Sequence, residues 1–257
     1  MSSYASLAEE VKAANRRLYD AVADDYERID GRRSDSLVSW IRRRLTRLAS
    51  EGGNGLLLDL GSGSGVVTRA AKGIFQRTIA MDISPRILAT AGPIADWRIA
   101  ADTDRLPIAD ESVDVVSCFA VLHHLYDSGG LLREVARVLR PGGVFWSDHD
   151  MDAAFFRRFR WPLRGYRALR GADRQYEGAA GIDARTYELA EFRENGVDGD
   201  AVTKQCLGVG LLPRIDFHWY GLTGVTNLLF GQREQARGWA PLLRIVATKP
   251  DPRSQLS

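Results

Sequence analysis

The feature that most restricts how this chain folds is a short apolar segment followed directly by a glycine-rich turn. Leu56–Leu60 is apolar apart from one acid, Asp59, which is typical of a strand buried on both faces. Further strands are predicted at residues 78–81, 97–101, 113–119, 211–220 and 242–248, and another begins at 144–146. Helical patterns lie between most of them. This alternation predicts an α/β fold, a doubly wound and mostly parallel sheet with helices on both faces.

The same patterns divide the chain into segments. Residues 1–50 are predicted to form two helices, and 51–150 the first part of the sheet. One helix in that part is expected to start at Ser84-Pro85, an N-cap followed by a first-turn proline. Residues 151–196 interrupt the alternation as an insertion, 197–249 complete the sheet, and 250–257 are expected to be a frayed tail.

Composition excludes several other classes of protein. The 257 residues include two cysteines, Cys118 and Cys206, which are too far apart for a zinc ribbon or a disulfide scaffold. No apolar run approaches the roughly 18 residues of a membrane helix, and the polar start does not resemble a secretory signal. The net charge of +2 is too small to indicate a nucleic-acid partner. We therefore expect a cytoplasmic protein.

Glycines and acids at the ends of the predicted strands indicate a ligand. Gly61, Gly63 and Gly65 follow the first strand, one residue out of step with the dinucleotide fingerprint. Asp59, Asp82 and Asp102 end the first three strands, at the edge where open α/β sheets bind ligands. So much negative charge suits a nucleoside with an ammonium and a sulfonium better than a pyrophosphate. S-adenosylmethionine (SAM) fits that description.

Five segments in order resemble successive motifs of class I SAM-dependent methyltransferases, in particular the small-molecule group called type 11. They are LLLDLGSGSG (56–65), MDIS (81–84), ADTDRLPIADESVDVV (101–116), AVLHHLYD (120–127) and LLREVARVLRPGGVF (131–145). YDAVADDYERID (19–30) also resembles the lead-in helix of that group. The resemblance covers about residues 19–149. It implies a Rossmann-like sheet of seven strands with the last antiparallel, an N-terminal helical lid over residues 1–50, and a cap at 151–196.

The resemblance also implies roles for individual residues. The loop of Gly61, Ser62, Gly63 and Gly65 would wrap the methionine part of SAM, and Asp59 would support its ammonium group. Asp82 would bind the ribose and Ile83 would pack on the adenine. The remaining cofactor positions are Asp102 with Thr103 at the adenine amino group, Cys118 and Phe119 beside the sulfonium, and Tyr19 and Tyr26 in the lid.

Candidate bases come from the four histidines. Methyl transfer leaves a neutral thioether, so alignment matters most, and a hydroxyl acceptor must in addition lose a proton. His149 follows the fifth strand, where Asp148 or Asp150 could orient it, and His123 and His124 follow the fourth. For His123 and His124, a structural role or a role beside the cofactor fits the sequence as well as a catalytic one. For His218, packing in the protein interior is a better interpretation than catalysis. No metal-ligand spacing is present, so a metal-independent reaction is expected.

The insertion is rich in arginine and aromatic residues. Six arginines and no acids lie between Ala153 and Ala172, and Pro162 fits the first turn of a short helix. Arginines could bind an anionic acceptor, contact an anionic membrane through residues 155–170, or dock an acidic carrier protein. Solvated arginine stems packed on aromatics are the simpler interpretation. The candidate acceptor-binding residues are Arg157, Arg160, Trp161, Tyr166 and Tyr187.

The sequence therefore predicts a SAM-dependent methyltransferase that releases S-adenosylhomocysteine (SAH). The acceptor is expected to be a small molecule methylated on a hydroxyl oxygen, sugar-bearing or anionic in nature. A quinone-type C-methyltransferase is one alternative, because the motifs are those that bind the cofactor and do not identify the acceptor. A SAM-binding enzyme that catalyses a cyclisation or other rearrangement is another. The sequence does not indicate an oligomeric state.

Overall fold

The computed structural model describes residues 2–26, 34–170, 182–193, 195–231 and 233–255. Within these ranges, seven strands form one sheet in the order β3-β2-β1-β4-β5-β7-β6. Strands β1 to β5 pair in parallel, whereas β7 runs antiparallel to both β5 and β6. The strands are β1 (Leu56–Leu60), β2 (Arg77–Asp82), β3 (Trp97–Ala100), β4 (Val113–Phe119), β5 (Leu139–Met151), β6 (Leu212–His218) and β7 (Leu242–Thr248). The predicted sheet and its antiparallel last strand are confirmed.

Helices precede the sheet and connect its strands. The helix predicted to start at Ser84-Pro85 does so, because the Ser84 hydroxyl accepts the Ile87 N–H at 3.1 Å and Pro85 occupies the first turn. The helices of the described residues are α1 (Ser2–Val22), α2 (Asp35–Gly52), α3 (Val66–Ala71), α4 (Pro85–Thr90), α5 (Gly129–Val138), α6 (Ala153–Arg170), α7 (Ala184–Ala190), α8 (Gly199–Gly208) and α9 (Gly224–Leu229).

The two N-terminal helices have different positions. α1 lies at the carboxyl edge of the sheet and packs on α7 through Ala14, Leu18 and Val22. α2 covers one face of the sheet, where fully buried Trp40 and Leu45 pack with residues of β4 and β5. Of the segment expected to form a lid, only α1 therefore lies over the carboxyl edge, while α2 belongs to the core.

Two features differ from the prediction, and one agrees with it. β5 begins at Leu139 rather than Val144, because Gly142 N–H donates to the Lys249 carbonyl at 2.9 Å and the strand continues through Pro141, Gly142 and Gly143. A single turn of 3-10 helix, Pro252–Gln255, lies in the tail that was expected to fray. In α6 the helix is kinked at Phe159, so Pro162 occupies the first turn of the second half, as predicted.

The position of α2 in the core has a measurable consequence for stability. Leu45→Ala removes a fully buried side chain and should lower the free energy of unfolding by about 2–5 kcal/mol in urea titrations. Arg43→Ala, an exposed position on the same helix, serves as the matched control and should change it by less than about 0.5 kcal/mol. Equal, small effects of both substitutions would mean that α2 is not part of the core.

Candidate cofactor and acceptor site

The glycine loop turns sharply at the end of β1. Gly61 and Gly65 have φ angles of +62° and +84°, in the left-handed region that favours glycine. A Cβ atom on Gly61 would overlap the Val121 side chain, and one on Gly65 would overlap Ile94. At Gly63 a Cβ would lie 3.6 Å from the ring of Tyr26, so this predicted lid residue does lie over the loop. Close packing on both sides leaves no room for larger residues at Gly61 and Gly65.

Asp82 ties the glycine loop to the end of β2. Its Oδ2 accepts the Gly63 N–H and its Oδ1 accepts the Ser84 N–H, each at 2.9 Å. Burial raises the pKa of Asp82 to about 6, although these hydrogen bonds oppose the shift. Ile83 is the next residue and is partly exposed at the same edge. The predicted ribose-binding acid thus also shapes the loop.

Asp59 is buried at the end of β1 and held by two hydroxyl groups. Thr68 donates to its Oδ2 and Ser117 to its Oδ1, both at 2.8 Å. Burial raises the pKa of Asp59 to about 6 as well, against the effect of these hydrogen bonds. A carboxylate in this position can attract an ammonium group at the glycine loop.

Asp102, the predicted adenine-amino acceptor, forms an unexpected ion pair with α1. Lys12 Nζ lies 2.7 Å from Asp102 Oδ2 and 2.9 Å from Asp104 Oδ2. Burial lowers the pKa of Lys12, but the hydrogen bonds to both carboxylates outweigh it and the net shift is upward. Asp102 Oδ1 accepts the Asp104 N–H at 3.0 Å, in the turn that holds Thr103. Lys12 could not be predicted from the sequence, because one lysine on a helix gives no signal of a distant partner.

Two more residues of α1 contact the strand ends. The Ser84 hydroxyl donates to Asp20 Oδ1 at 2.5 Å, which the sequence did not suggest. The Tyr19 hydroxyl lies 2.8 Å from His124 Nε2, and its ring packs edge-on against Tyr26. Together with Lys12, these contacts make α1 a cover over the carboxyl ends of the strands.

Cys118 and Phe119 lie at the end of β4. Cys118 is fully buried, and burial raises the pKa of its thiol well above the ordinary value, with further contributions from Asp150 and Asp59. The centres of the Phe119 and His149 rings lie 4.2 Å apart. Of the two predicted sulfonium-side residues, Phe119 therefore contacts the candidate base His149, whereas Cys118 is buried near Asp150, the partner of His123.

His123 and Asp150 form a hydrogen-bonded pair. His123 Nδ1 lies 2.7 Å from Asp150 Oδ1, which also accepts the His123 backbone N–H at 3.0 Å. The Nε2 atom of His123 is 3.7 Å from Glu191 Oε2, and 16% of the His123 side chain is exposed. Glu191 lies against both neighbouring histidines, a contact that the sequence does not indicate.

His124 has a structural environment. Its Nδ1 lies 2.9 Å from the Ala190 carbonyl, which can only accept, so Nε2 accepts from Tyr19. Burial, followed by the neighbouring His123, lowers the pKa of His124 to about 4. The ring is therefore neutral near pH 7 and joins α1 to α7.

His149 and His218 share Asp148. Asp148 Oδ1 lies 3.0 Å from His149 Nδ1 and 2.7 Å from His218 Nε2. Burial would raise the pKa of Asp148, but His218 and His149 hold it well below its ordinary value. Only 2% of the His149 side chain is exposed, and a Cβ on Gly221 would overlap its Nε2. The sequence assigned His218 to packing and gave no sign that it meets Asp148.

The predicted acceptor-binding residues of the insertion lie in two separate places. Arg157, Arg160 and Trp161 are exposed on α6, and the Arg160 guanidinium lies 5.2 Å from the centre of the Trp161 ring. Tyr187 packs with the apolar residues at the contact of α1 and α7. The Tyr166 side chain lies outside the described residues.

Two side-chain groups of the described residues bring three metal-ligand atoms within 4.8 Å of one another. They are His123, His124 and Glu191, and Asp148, His149 and His218. In each group, histidine nitrogens are already hydrogen-bonded to a carboxylate or a backbone carbonyl. A metal-independent reaction stays our expectation.

The residues at the glycine loop fit SAM. The Ser62 and Ser64 hydroxyls are buried and have no hydrogen-bond partner within the described part of the chain. Such groups are normally satisfied, so they suit a polar ligand that reaches the loop. Asp59 and Asp82 supply the negative charge that an ammonium and two ribose hydroxyls require, and no phosphate has to approach them.

Several known proteins are similar to this chain. The family model described as a methyltransferase domain matches residues 58–147. A demethylmenaquinone methyltransferase of Mycolicibacterium paratuberculosis is 31% identical over 215 residues, which cover 80% of this chain and 88% of that protein. The ubiquinone/menaquinone biosynthesis C-methyltransferase UbiE of Rubrivivax gelatinosus is 29% identical over 134 residues, which cover 51% of this chain and 53% of that protein. The chain thus spans about half the length of that relative.

Solved structures share the fold. A Haloferax volcanii methyltransferase, solved in complex with a methyltransferase activator, superposes with a TM-score of 0.59 at 21% identity, covering 92% of this chain and 97% of that one. The cyclase SpnF gives 0.58 at 16% identity, covering 92% and 95%.

The sheet, the glycine loop and these relatives define a methyltransferase that uses SAM as its methyl donor. The chain belongs to the class I SAM-dependent methyltransferases. In the described residues, every helix is too short or too polar to cross a membrane.

The raised pKa of Asp82 predicts how stability depends on pH. The folded state holds a proton on Asp82 up to about pH 6, whereas an unfolded aspartate loses it near pH 4. Stability contributed by this group therefore falls as pH rises between these values. Relative to Asp82→Asn, the wild-type protein should lose about 2–3 kcal/mol of unfolding free energy from pH 4 to pH 7 in urea titrations.

Asp96 provides a control, because the stability that it contributes should change with pH in the opposite direction. The Thr78 backbone N–H lowers the pKa of Asp96, so its stabilising contribution is lost as pH falls. Parallel pH curves for the wild type and Asp82→Asn would contradict the assignment.

Proposed function

We propose that this enzyme methylates a ring carbon of a quinol-type acceptor, an aromatic ring that carries ionisable hydroxyl groups. The observation that carries the proposal is the His123–Asp150 pair beside Cys118, at the end of β4. The names of two relatives, a demethylmenaquinone methyltransferase and a C-methyltransferase, support carbon rather than oxygen as the atom that receives the methyl.

The His123–Asp150 pair is suited to remove a proton from a hydroxyl group. Asp150 is almost fully buried and fixes the proton of the imidazole on Nδ1, which leaves Nε2 as the basic atom. Deprotonation of a quinol places negative charge on the oxygen and on adjacent ring carbons, so either atom becomes a nucleophile. When bound, SAM would supply an electrophilic methyl group, with SAH as the neutral leaving group. The methylated ring carbon would then release its hydrogen as a proton, so that the ring regains its aromaticity and the hydroxyl group is restored.

Of the three candidate bases, His123 is placed best to reach a hydroxyl group of the acceptor. His124 uses both ring nitrogens in contacts with Tyr19 and Ala190, and the His149 side chain is nearly sealed beneath Gly221. A base must reach the hydroxyl to within about 3 Å. The more exposed His123 meets this requirement with less rearrangement, and His149 with Asp148 is the second candidate.

The test uses SAM and a reduced demethylmenaquinol with a short side chain as acceptor. We expect SAH to form together with a ring-methylated product, identified by mass spectrometry and NMR. His123→Gln should lower kcat by about 10²–10⁴-fold and remove the base limb of the pH profile, with SAH affinity unchanged.

His149→Gln is the matched control and should retain most of the activity. Loss of the base limb in His149→Gln, with full activity in His123→Gln, would overturn the choice of base. An oxygen-methylated product would overturn the choice of ring carbon. Acceptor turnover without SAH formation would instead indicate a rearrangement.

A further inference from the structure

Helix α9 presents an apolar face that nothing in the described chain covers. Leu228 is 85% exposed, Val225 66% and Leu229 64%, and no residue of this helix is buried. Soluble monomers rarely expose contiguous apolar side chains to this extent, and such patches usually mark an interaction surface. Single exposed leucines elsewhere in the chain need no such explanation.

A series of aromatic contacts joins α9 to the arginine-rich helix α6. Phe230, directly after α9, stacks on Trp219 with ring centres 4.9 Å apart, and Trp219 meets Phe155 edge-on at 5.4 Å. Phe155 contacts Phe159, which lies near Trp239. These contacts, which pass through buried Phe155, connect the two helices, and the exposed residues of both are called here the α6–α9 surface.

The charged groups of this surface are basic. Arg158 lies 3.8 Å over the ring of Trp239, and Arg160 and Arg164 flank the exposed Trp161. No acid occurs between Ala153 and Ala172, and no ion pair of these three arginines is present among the described residues. Arginines interleaved with protruding apolar residues are typical of segments that lie in the headgroup region of a membrane.

We propose that the α6–α9 surface docks on a bilayer that contains anionic phospholipids. The leucines and valine of α9 would enter the acyl boundary, and the arginines would pair with lipid phosphates. Charge complementarity favours an anionic surface over a neutral one, since each basic residue near such a surface strengthens binding about fivefold. An acidic protein would account for the arginines, but not for apolar side chains that project from the surface.

Docking in this position would turn the acceptor site toward the lipid. α6 follows β5 and α9 follows β6, and both strands end at the carboxyl edge that holds the site. Gly221, three residues before α9, packs on His149. An apolar acceptor could therefore pass from the bilayer to the strand ends. This consequence rests on the proposed function, whereas membrane binding itself can be measured without an acceptor.

Sedimentation with vesicles tests the proposal. The full chain should bind vesicles of phosphatidylcholine mixed with phosphatidylglycerol, bind pure phosphatidylcholine at least about tenfold more weakly, and dissociate as salt rises. The double variant Val225→Asp/Leu228→Asp should lower binding to the mixed vesicles about tenfold or more. Leu207→Asp, an equally simple change at an exposed leucine of α8, should leave binding within about twofold.

Three results would overturn the proposal. The first is no binding to either vesicle by the wild-type chain, and the second is equal binding by the double variant. The third is a dimer in analytical ultracentrifugation that Leu228→Asp dissociates, which would assign the surface to a second copy. SAH affinity shows that each variant folds. Vesicle binding without methylation of the quinol would contradict the proposed acceptor and leave the docking surface intact.

Discussion

Two carboxylates buried at the ends of adjacent strands determine how this site is built. A buried anion is costly unless hydrogen-bond donors surround it, and Asp59 and Asp82 both have raised pKa values because burial opposes their charge. Asp82 takes its donors from the backbone of Gly63 and Ser84, so the glycine loop must approach closely. Asp59 takes its donors from Thr68 and Ser117, which links β1 to α3 and β4. Loop, helix and neighbouring strands are thus held by the groups that a cationic cofactor requires.

The N-terminal helix completes this arrangement through charge. Lys12 lies between Asp102 and Asp104, where the third strand end would otherwise carry unpaired negative charge. Asp20 binds Ser84, the residue whose backbone also holds Asp82. A cofactor that uses Asp102 must share it with Lys12 or displace it. The position of α1 and the electrostatics of the cofactor site are therefore coupled.

The sequence predicted those parts of the structure that repeat or have local signals. Alternating strands and helices, the start of α4 at Ser84 and the acids at the strand ends could all be predicted, because each depends on neighbouring residues. Contacts across the chain could not. Glu191 reaches His123 from 68 positions away and His218 reaches Asp148 from 70, and a single residue on a helix or strand carries no sign of its partner. α2 resembles a lid helix by pattern, yet only the structure shows that Trp40 packs on the sheet.

The assignment of the strand-end carboxylates to SAM is tested most directly by calorimetric titration of the purified chain with SAH, SAM and NAD, repeated with Asp82→Ala. We expect micromolar binding of SAH and SAM, no binding of NAD, and a loss of about 10- to 100-fold in affinity for SAH and SAM in the variant, which corresponds to the loss of a hydrogen bond to a charged group. Unchanged SAH affinity in Asp82→Ala, or binding of NAD in place of SAM, would contradict the assignment of the strand-end carboxylates to this cofactor.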